Sequence, residues 1–248
     1  MGELTGKVAI VTGASKGIGA AIARRFAKAG AAVAVNYASS QSDADRIVGE
    51  ITCNGGKAVA IRADVGKSAD VKRLFAETQA ALGAPSILVN NAGVFSFGSL
   101  ESTTEAEFHR QFDTNVLSAI LTIKEAVATF GGDGGSVINL SSISSVNPVP
   151  NSVIYSASKS AIDTITKALA NELAGRKIRV NAIAPGMTAT EGLAAMGVVG
   201  ETARTMGAAL PMGRLGEPDD IADVALFLAS DQSAWLTGER ITASGGQR

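Results

Sequence analysis

Cysteine is almost missing from this 248-residue chain. Cys53 stands alone, which excludes an intramolecular disulfide framework and fits a reducing compartment. No base lies near it in sequence, so Cys53 reads as a filler near the end of a surface helix. Histidine is equally scarce: His109 is the only one, with Glu105 one helical turn before it. No metal-binding triad can be built around it, so no metal site is expected and His109 reads as a surface residue. A single histidine and no Gly-x-Ser-x-Gly elbow also disfavour a serine-hydrolase triad.

Charge of either sign is thin as well. Twenty-two Lys and Arg oppose 23 Asp and Glu, for a net charge of −1. Nucleic acid or an anionic membrane would call for a dense basic patch. The one basic cluster, Arg176-Lys177-Arg179, is short, borders an expected strand, and reads as a solvated edge. Long apolar runs are absent too: residues 8–11 and 87–89 are far too short to span a bilayer. Met1 to Lys7 lead straight into a strand, without a charged segment followed by a long apolar stretch. No secretory leader is read there, and a cytoplasmic protein is expected.

What is present is a regular alternation of short apolar segments and longer amphipathic ones. Strands are predicted at 8–11, 32–35, 58–61, 87–89, 136–140, 178–183 and 240–242. Helices are predicted at 18–29, 42–52, 68–82 with Ser68 as N-cap, 104–129, 153–173 and 218–229. Pro218 falls in the first turn of the last, where its missing N–H costs nothing. Residues 187–216 read as irregular. Strands apolar on both faces and separated by helices imply a parallel sheet covered on both sides. Right-handed crossovers then favour a doubly wound α/β sheet over a closed barrel. With no repeat and no linker, residues 1–248 are expected to form one domain.

Thr12-Gly13-Ala14-Ser15-Lys16-Gly17-Ile18-Gly19 follows the first strand and opens the first helix. Glycines there allow a tight turn and close backbone approach to a pyrophosphate, and the helix start offers free N–H groups to the anion. The spacing is G-x-x-x-G-x-G, so position between strand and helix matters more than the triad itself. The second strand ends Asn36-Tyr37-Ala38-Ser39, with no carboxylate before Asp43. NAD-selective sites usually place an acidic residue there. Its absence, with Lys16 in the loop to face a 2′-phosphate, favours NADP(H), with NAD(H) as the alternative.

Tyr155 and Lys159 are four apart at the start of a helix, hence on one face. An ammonium beside a phenol favours the phenolate and draws it toward working pH, as a general acid/base requires. Ser142, at the end of the fifth strand, would reach the same crevice, because parallel sheets bind ligands at their carboxyl ends.

Taken together, Thr12 to Gly19, Asn90-Asn91-Ala92-Gly93, Asn115, Ser142 and Tyr155 to Lys159 resemble the short-chain dehydrogenase/reductase family, essentially from Lys7 to Gly246. The resemblance implies a Rossmann fold with a seven-stranded parallel sheet and three helices on each side. It implies that Tyr155 exchanges the proton and that Lys159 holds the nicotinamide ribose while lowering the Tyr155 pKa. Ser142 would orient the carbonyl, and Asn115 would hold a water linking Lys159 to solvent. Gly13, Ser15, Lys16, Gly17, Ile18 and Gly19 would cradle the cofactor, with Asn36, Tyr37, Ala38 and Ser39 near its ribose. Asp64 and Val65 match the family's adenine contact. Asn91, Ala92 and Gly93 would line the cofactor, and Pro185, Gly186 and Thr188 would meet the nicotinamide amide. Asn115 could equally bond backbone where its helix kinks, and Asn90 is expected to tie strands together.

Two subgroups resemble the chain most: 3-oxoacyl-carrier-protein reductases and glucose-dehydrogenase-like carbonyl reductases. Carrier-protein reductases usually carry basic residues before the fifth strand, whereas residues 129–135 have none and Arg176 could add only one contact. The stretch 192–210, with Leu193, Met196, Val198, Val199 and Met206, is expected to form a mobile lid over an apolar substrate. The reading is NADPH-dependent reduction of a fairly apolar ketone or aldehyde, a small molecule, with acyl-carrier reduction second. A dinucleotide sensor without turnover is a third reading, against which stand the intact Ser142, Tyr155 and Lys159. A nucleotide-sugar epimerase or dehydratase would need a larger substrate domain. The family's assembly implies a homotetramer, or a homodimer. Ser244, where relatives commonly have Asp before Gly245-Gly246, departs from the pattern at a segment that makes subunit contacts in relatives.

Overall fold

The computed structural model describes residues 2–247. Its centre is β1 (Val8–Val11), buried along its whole length. β2 (Ala32–Tyr37) and β3 (Lys57–Arg62) extend the sheet on one side of it. β4 (Ile87–Asn90), β5 (Gly135–Leu140), β6 (Ile178–Pro185) and β7 (Arg240–Ala243) extend it on the other. The order is β3-β2-β1-β4-β5-β6-β7, and every neighbouring pair is parallel. Two open edges rule out the barrel. The chain reverses direction across the sheet between β1 and β4, which opens a crevice above their carboxyl ends.

Helices cover both faces because the strands are apolar on both. α1 (Gly17–Lys28), α2 (Gln41–Cys53) and α9 (Pro218–Ala229) pack on one face through residues such as Ile22, Phe26, Ile47 and Leu228. α3 (Ser68–Leu82), α5 (Ser118–Thr129) and α6 (Val153–Leu173) pack on the other through Leu74, Phe75, Ile123 and Leu173. This is the expected arrangement of three helices on each side. Pro218 opens α9 as anticipated, and Asp220 Oδ2 accepts the Glu217 amide at 2.7 Å to finish the cap.

Four local expectations need correction. The long helix at 104–129 is α4 (Glu105–Phe112) joined to α5 through a π-helical turn, Asp113–Leu117. Ser68 is not an N-cap: Lys67 holds that position, no side chain caps it, and Asp70 is spent on the Asp64 amide at 2.8 Å. Arg179 is not a solvated edge. Its guanidinium donates to the carbonyls of Leu228 at 2.8 Å and Ser230 at 3.3 Å, where the last turn of α9 leaves oxygens without helical partners. The expected irregular stretch 187–216 contains two short helices, α7 (Glu191–Ala195) and α8 (Gly200–Ala208). No helix among the described residues is long and apolar enough to cross a membrane.

Candidate active site

The loop after β1 is shaped by two residues with positive φ, Gly13 at +60° and Gly17 at +57°. A side chain on Gly13 would press a Cβ to 2.9 Å from Ala92 Cα, and one on Gly19 would meet Asn91 Nδ2 at 2.3 Å. Bare backbone is therefore what the turn can hold. Lys16 sits at the N-cap of α1 without a side-chain cap bond, so the first-turn amides stay available to an anion. These features fit a dinucleotide pyrophosphate. Lys16 itself is exposed.

Much of the predicted cofactor set builds this cradle instead of pointing into it. Asn36 is 1% exposed, and its side chain is fully engaged. Its Oδ1 accepts the Gly13 amide at 3.2 Å, and its Nδ2 donates to Ala63 O at 3.1 Å and Ile61 O at 3.3 Å. Tyr37 turns into the core beside α2, and Val65 into the core beside α3. Ala38 and Ser39 remain exposed at the end of β2. Asn91 Nδ2 bonds the carbonyls of Thr12 at 2.9 Å and Gly13 at 3.0 Å, while Ala92 gives its amide to Thr12 Oγ1. Ser15 is buried in the loop. Asp64 binds the Gly66 amide at 3.1 Å and pairs with Lys67 at 3.3 Å, yet stays half-exposed. Ile18, Asn91, Gly93, Pro185, Gly186 and Thr188 line one cavity of about 530 Å³.

Ser142, Tyr155 and Lys159 line that same cavity. Ser142 follows β5, and its Oγ accepts the Ser144 amide at 3.1 Å. Tyr155 lies in the first turn of α6, half-buried, and faces the cavity alongside Ser142. Phe95 and Phe97 close on its ring, with centroids 6.1 and 5.8 Å away. Tilted and edge-on contacts of this kind fix a ring's orientation. Lys159, 7% exposed, donates to Leu140 O at 2.8 Å, and its Nζ stands 5.8 Å from the Tyr155 ring centroid.

The electrostatics follow from burial. Burial pushes the Tyr155 hydroxyl above its ordinary value, and the Ser142 hydroxyl works in the opposite direction. The expected lowering by Lys159 does not govern this geometry, since the ammonium is anchored on the Leu140 carbonyl. Burial also pulls the Lys159 ammonium down to about 8, against the resistance of the Asp163 carboxylate.

Asn115 occupies the π-helical turn, a distortion that often marks functional positions. Its Oδ1 accepts the Val94 amide at 2.8 Å, and its Nδ2 donates to Val94 O at 2.9 Å and Ser158 Oγ at 3.0 Å. Ser158 in turn donates to Tyr155 O at 2.7 Å. Asn115 Oδ1 and Lys159 Nζ also flank Gly93, at 3.3 and 3.6 Å from where a Cβ would stand. Asn90, as expected, ties elements together, donating to Asn139 Oδ1 at 2.9 Å and accepting from Thr122 at 2.6 Å.

Several residues at the site escaped sequence reasoning. Phe95 and Phe97 line the cavity together with Leu193, Met196, Val198 and Met206 of the expected lid. The alternation of Phe95 and Phe97 just after Gly93 was the available signal. Gln247 also lines it, its Oε1 accepting the Met187 amide at 3.0 Å. Arg62 pairs in register with Tyr37 and donates to Ala38 O at 3.2 Å, adding a cation where β2 ends. The two ends of the segment 187–216 are pinned together, where Gly216 donates to Met187 O at 2.9 Å and Ala189 to Gly216 O at 2.8 Å.

Comparison with known proteins agrees with this geometry. A family model described as "Enoyl-(Acyl carrier protein) reductase" matches residues 13–248. An uncharacterized oxidoreductase of Methylorubrum extorquens is 50% identical over 249 residues, covering all of both chains. A solved short-chain dehydrogenase/reductase from Serratia marcescens superposes with a TM-score of 0.92 at 37% identity, covering 98% of each chain. The solved angucycline C-6 ketoreductase LanV with bound NADP superposes with a TM-score of 0.91 at 38% identity, covering 99% of this chain and 96% of its own. Fold, cradle and relatives agree: the chain belongs to the short-chain dehydrogenase/reductase family and is an NAD(P)-dependent oxidoreductase.

Proposed function

We propose that this enzyme reduces the carbonyl of a fairly apolar ketone or aldehyde to an alcohol, with NADPH as the preferred cofactor. The observation that carries the reading is the Ser142–Tyr155 hydroxyl pair on the wall of an apolar cavity, with Lys159 one helical turn away. NADPH, when bound, supplies the hydride that reaches the carbonyl carbon. Tyr155 Oη gives its proton to the carbonyl oxygen as negative charge develops there. Ser142 Oγ donates a hydrogen bond to the same oxygen and holds it within reach of Tyr155. Lys159 holds the nicotinamide ribose. Asn115 fixes the bulged helix against Val94 and keeps the path from Lys159 toward solvent in place.

In this reading Gly13, Gly17, Ile18 and Gly19 offer backbone to the pyrophosphate. Lys16 and Arg62 face the 2′-phosphate beyond Ala38 and Ser39, and Asp64 meets the adenine. Gly93, Pro185, Gly186 and Thr188 bound the nicotinamide. The NADP-bound LanV structure supports the cofactor preference by likeness. Residues 187–216 act as the lid. One sheet uses strands from residue 8 to residue 243, which supports a single domain. Exposed Phe108 on α4, Leu117 in the π-helical turn and Ile120 on α5, and Trp235 at 99% exposure before β7, support a homotetramer, or a homodimer. A cytoplasmic location is part of the same proposal.

The acyl-carrier-protein activity named for the matching family favours a second reading, reduction of the 3-oxo group of an acyl chain held as a carrier-protein thioester. The lack of basic residues at 129–135 weighs little against it. That segment precedes β5, whereas Ser142 follows it, so a whole strand of about 20 Å separates them. The cavity lining supports the ketone reading instead: Phe95, Phe97, Leu193 and Met196 suit a compact apolar body. Initial rates of NADPH and NADH loss on alkyl ketones, aryl ketones and an acetoacetyl thioester test this. The proposal expects higher kcat/KM on the ketones with NADPH. A much higher value on the thioester would reverse the order.

A further inference from the structure

Ser142 can hold a carbonyl oxygen only if its main chain is fixed relative to the helix that carries Tyr155. Two elements must therefore keep a constant spacing: the loop after β5 and α6. Ser160 Oγ of α6 bonds the Ser145 carbonyl at 2.6 Å, and one side chain from outside both elements also touches both. Arg240, the first residue of β7, donates from Nη2 to the Ser142 carbonyl at 3.0 Å. Its Nε lies 2.9 Å from Asp163 Oδ2 and 3.2 Å from Ser145 Oγ, and its Nη1 donates to Thr242 at 2.8 Å. Ser145 Oγ also donates to the Ser142 carbonyl, at 2.8 Å. Asp163 follows Tyr155 and Lys159 at successive four-residue steps along α6, so all three share one helix face.

The energetics argue that this pair is kept for geometry. Asp163 is 9% exposed, and its Oδ1 has no hydrogen-bond partner among the described residues. A half-satisfied buried ion pair is a poor source of stability, because desolvating two charges offsets most of their attraction. A planar guanidinium can, however, bond in several fixed directions at once, which an ammonium cannot. We propose that Arg240 is a positioning residue: it clamps the Ser142 main chain to the Tyr155–Lys159 helix through Asp163 and so sets the spacing of the two hydroxyls. The inference rests on the reading of Ser142 and Tyr155 given above and adds a residue from the far edge strand to it.

The test is a double-mutant cycle between Arg240→Lys and Ser142→Ala, read by kcat, KM, NADPH Kd and Tm. Lysine keeps the charge opposite Asp163 but cannot also reach the Ser142 carbonyl. Arg240→Lys is expected to lower kcat about tenfold, the scale of a sub-ångström misplacement, with KM and NADPH Kd within about twofold. In the Ser142→Ala background the same change is expected to cost no further kcat, because Arg240 acts through Ser142. Equal losses in both backgrounds, or a fall in Tm with kcat intact, would overturn the proposal. Should Arg240→Lys fold poorly, Arg240→Met with Asp163→Leu removes both charges and is expected to recover Tm but not kcat; recovery of both would overturn it. If Ser142→Ala alone leaves kcat unchanged, the reading of the site fails first. If Ser142→Ala is crippled and Arg240→Lys is additive, only this inference fails.

Discussion

Lys159 shows most clearly how function and stability oppose each other within one residue. Its ammonium is buried and drawn down to about 8 from an ordinary 10.5. Between those values the unfolded chain binds more protons than the folded one, so on this group's account stability rises as pH climbs from 8 to 10.5. Below 8 the whole penalty of a buried charge stands. Lys159→Met is therefore expected to melt a few degrees above the wild type at pH 7, about 2–4 °C per kcal/mol relieved, while losing turnover. That advantage should shrink as pH approaches 10.5. Melting curves across pH check it, and a difference that stays flat with pH would contradict the burial argument. Tyr155 titrates in the other direction: with its hydroxyl raised by burial, it keeps its proton at neutral pH, as carbonyl reduction requires.

At the scale of elements, the sequence was readable wherever local chemistry decides the outcome. α6 and α9 fall where periodicity and Pro218 put them, and β1 matches its apolar run. Strand ends were less legible: β6 continues to Pro185 because pairing with β7, not its own composition, extends it. A kink at Asn115 with its side chain on backbone was one of two readings, but its π-helical form and its Val94 partner were not legible, since Val94 arrives from another loop. The side-chain directions of Asn36 and Tyr37 were illegible for a related reason. A residue at a strand end has two faces, and only the packed structure says that Asn36 grips the glycine loop while Tyr37 enters the core. Arg240 and Asp163 were invisible because their pairing requires β5, β6 and β7 to be laid side by side. That same register places Arg62 at the end of β2 and leads to a prediction. Lys16→Ala and Arg62→Ala should each weaken NADPH more than NADH in fluorescence titrations, by about tenfold if one charge-assisted bond of about 1.5 kcal/mol is lost. Equal weakening of both cofactors would remove the 2′-phosphate from their role.

For the molecule as a whole, the parallel order brings together segments far apart in sequence. The glycine loop after β1 and the hydroxyls after β5 and on α6 open into one crevice only because the sheet is wound in two directions from β1 and β4. Four exposed apolar residues lie away from it, Phe108, Leu117 and Ile120 between residues 105 and 129 and Trp235 before β7, and are expected to be covered by further copies of the chain. Sedimentation should then give a particle near 100 kDa, four copies of a 25.1 kDa chain, or half that for a dimer. A stable monomer at micromolar concentration would refute this. The claim on which everything else stands is that the phenol of Tyr155 delivers the proton while the cofactor is held by other groups. Single-turnover oxidation of bound NADPH by Tyr155→Phe, measured beside its NADPH Kd, tests that directly. The account predicts a rate lower by about a hundredfold or more with Kd nearly unchanged. A rate close to that of the wild type, at the same Kd, would contradict it.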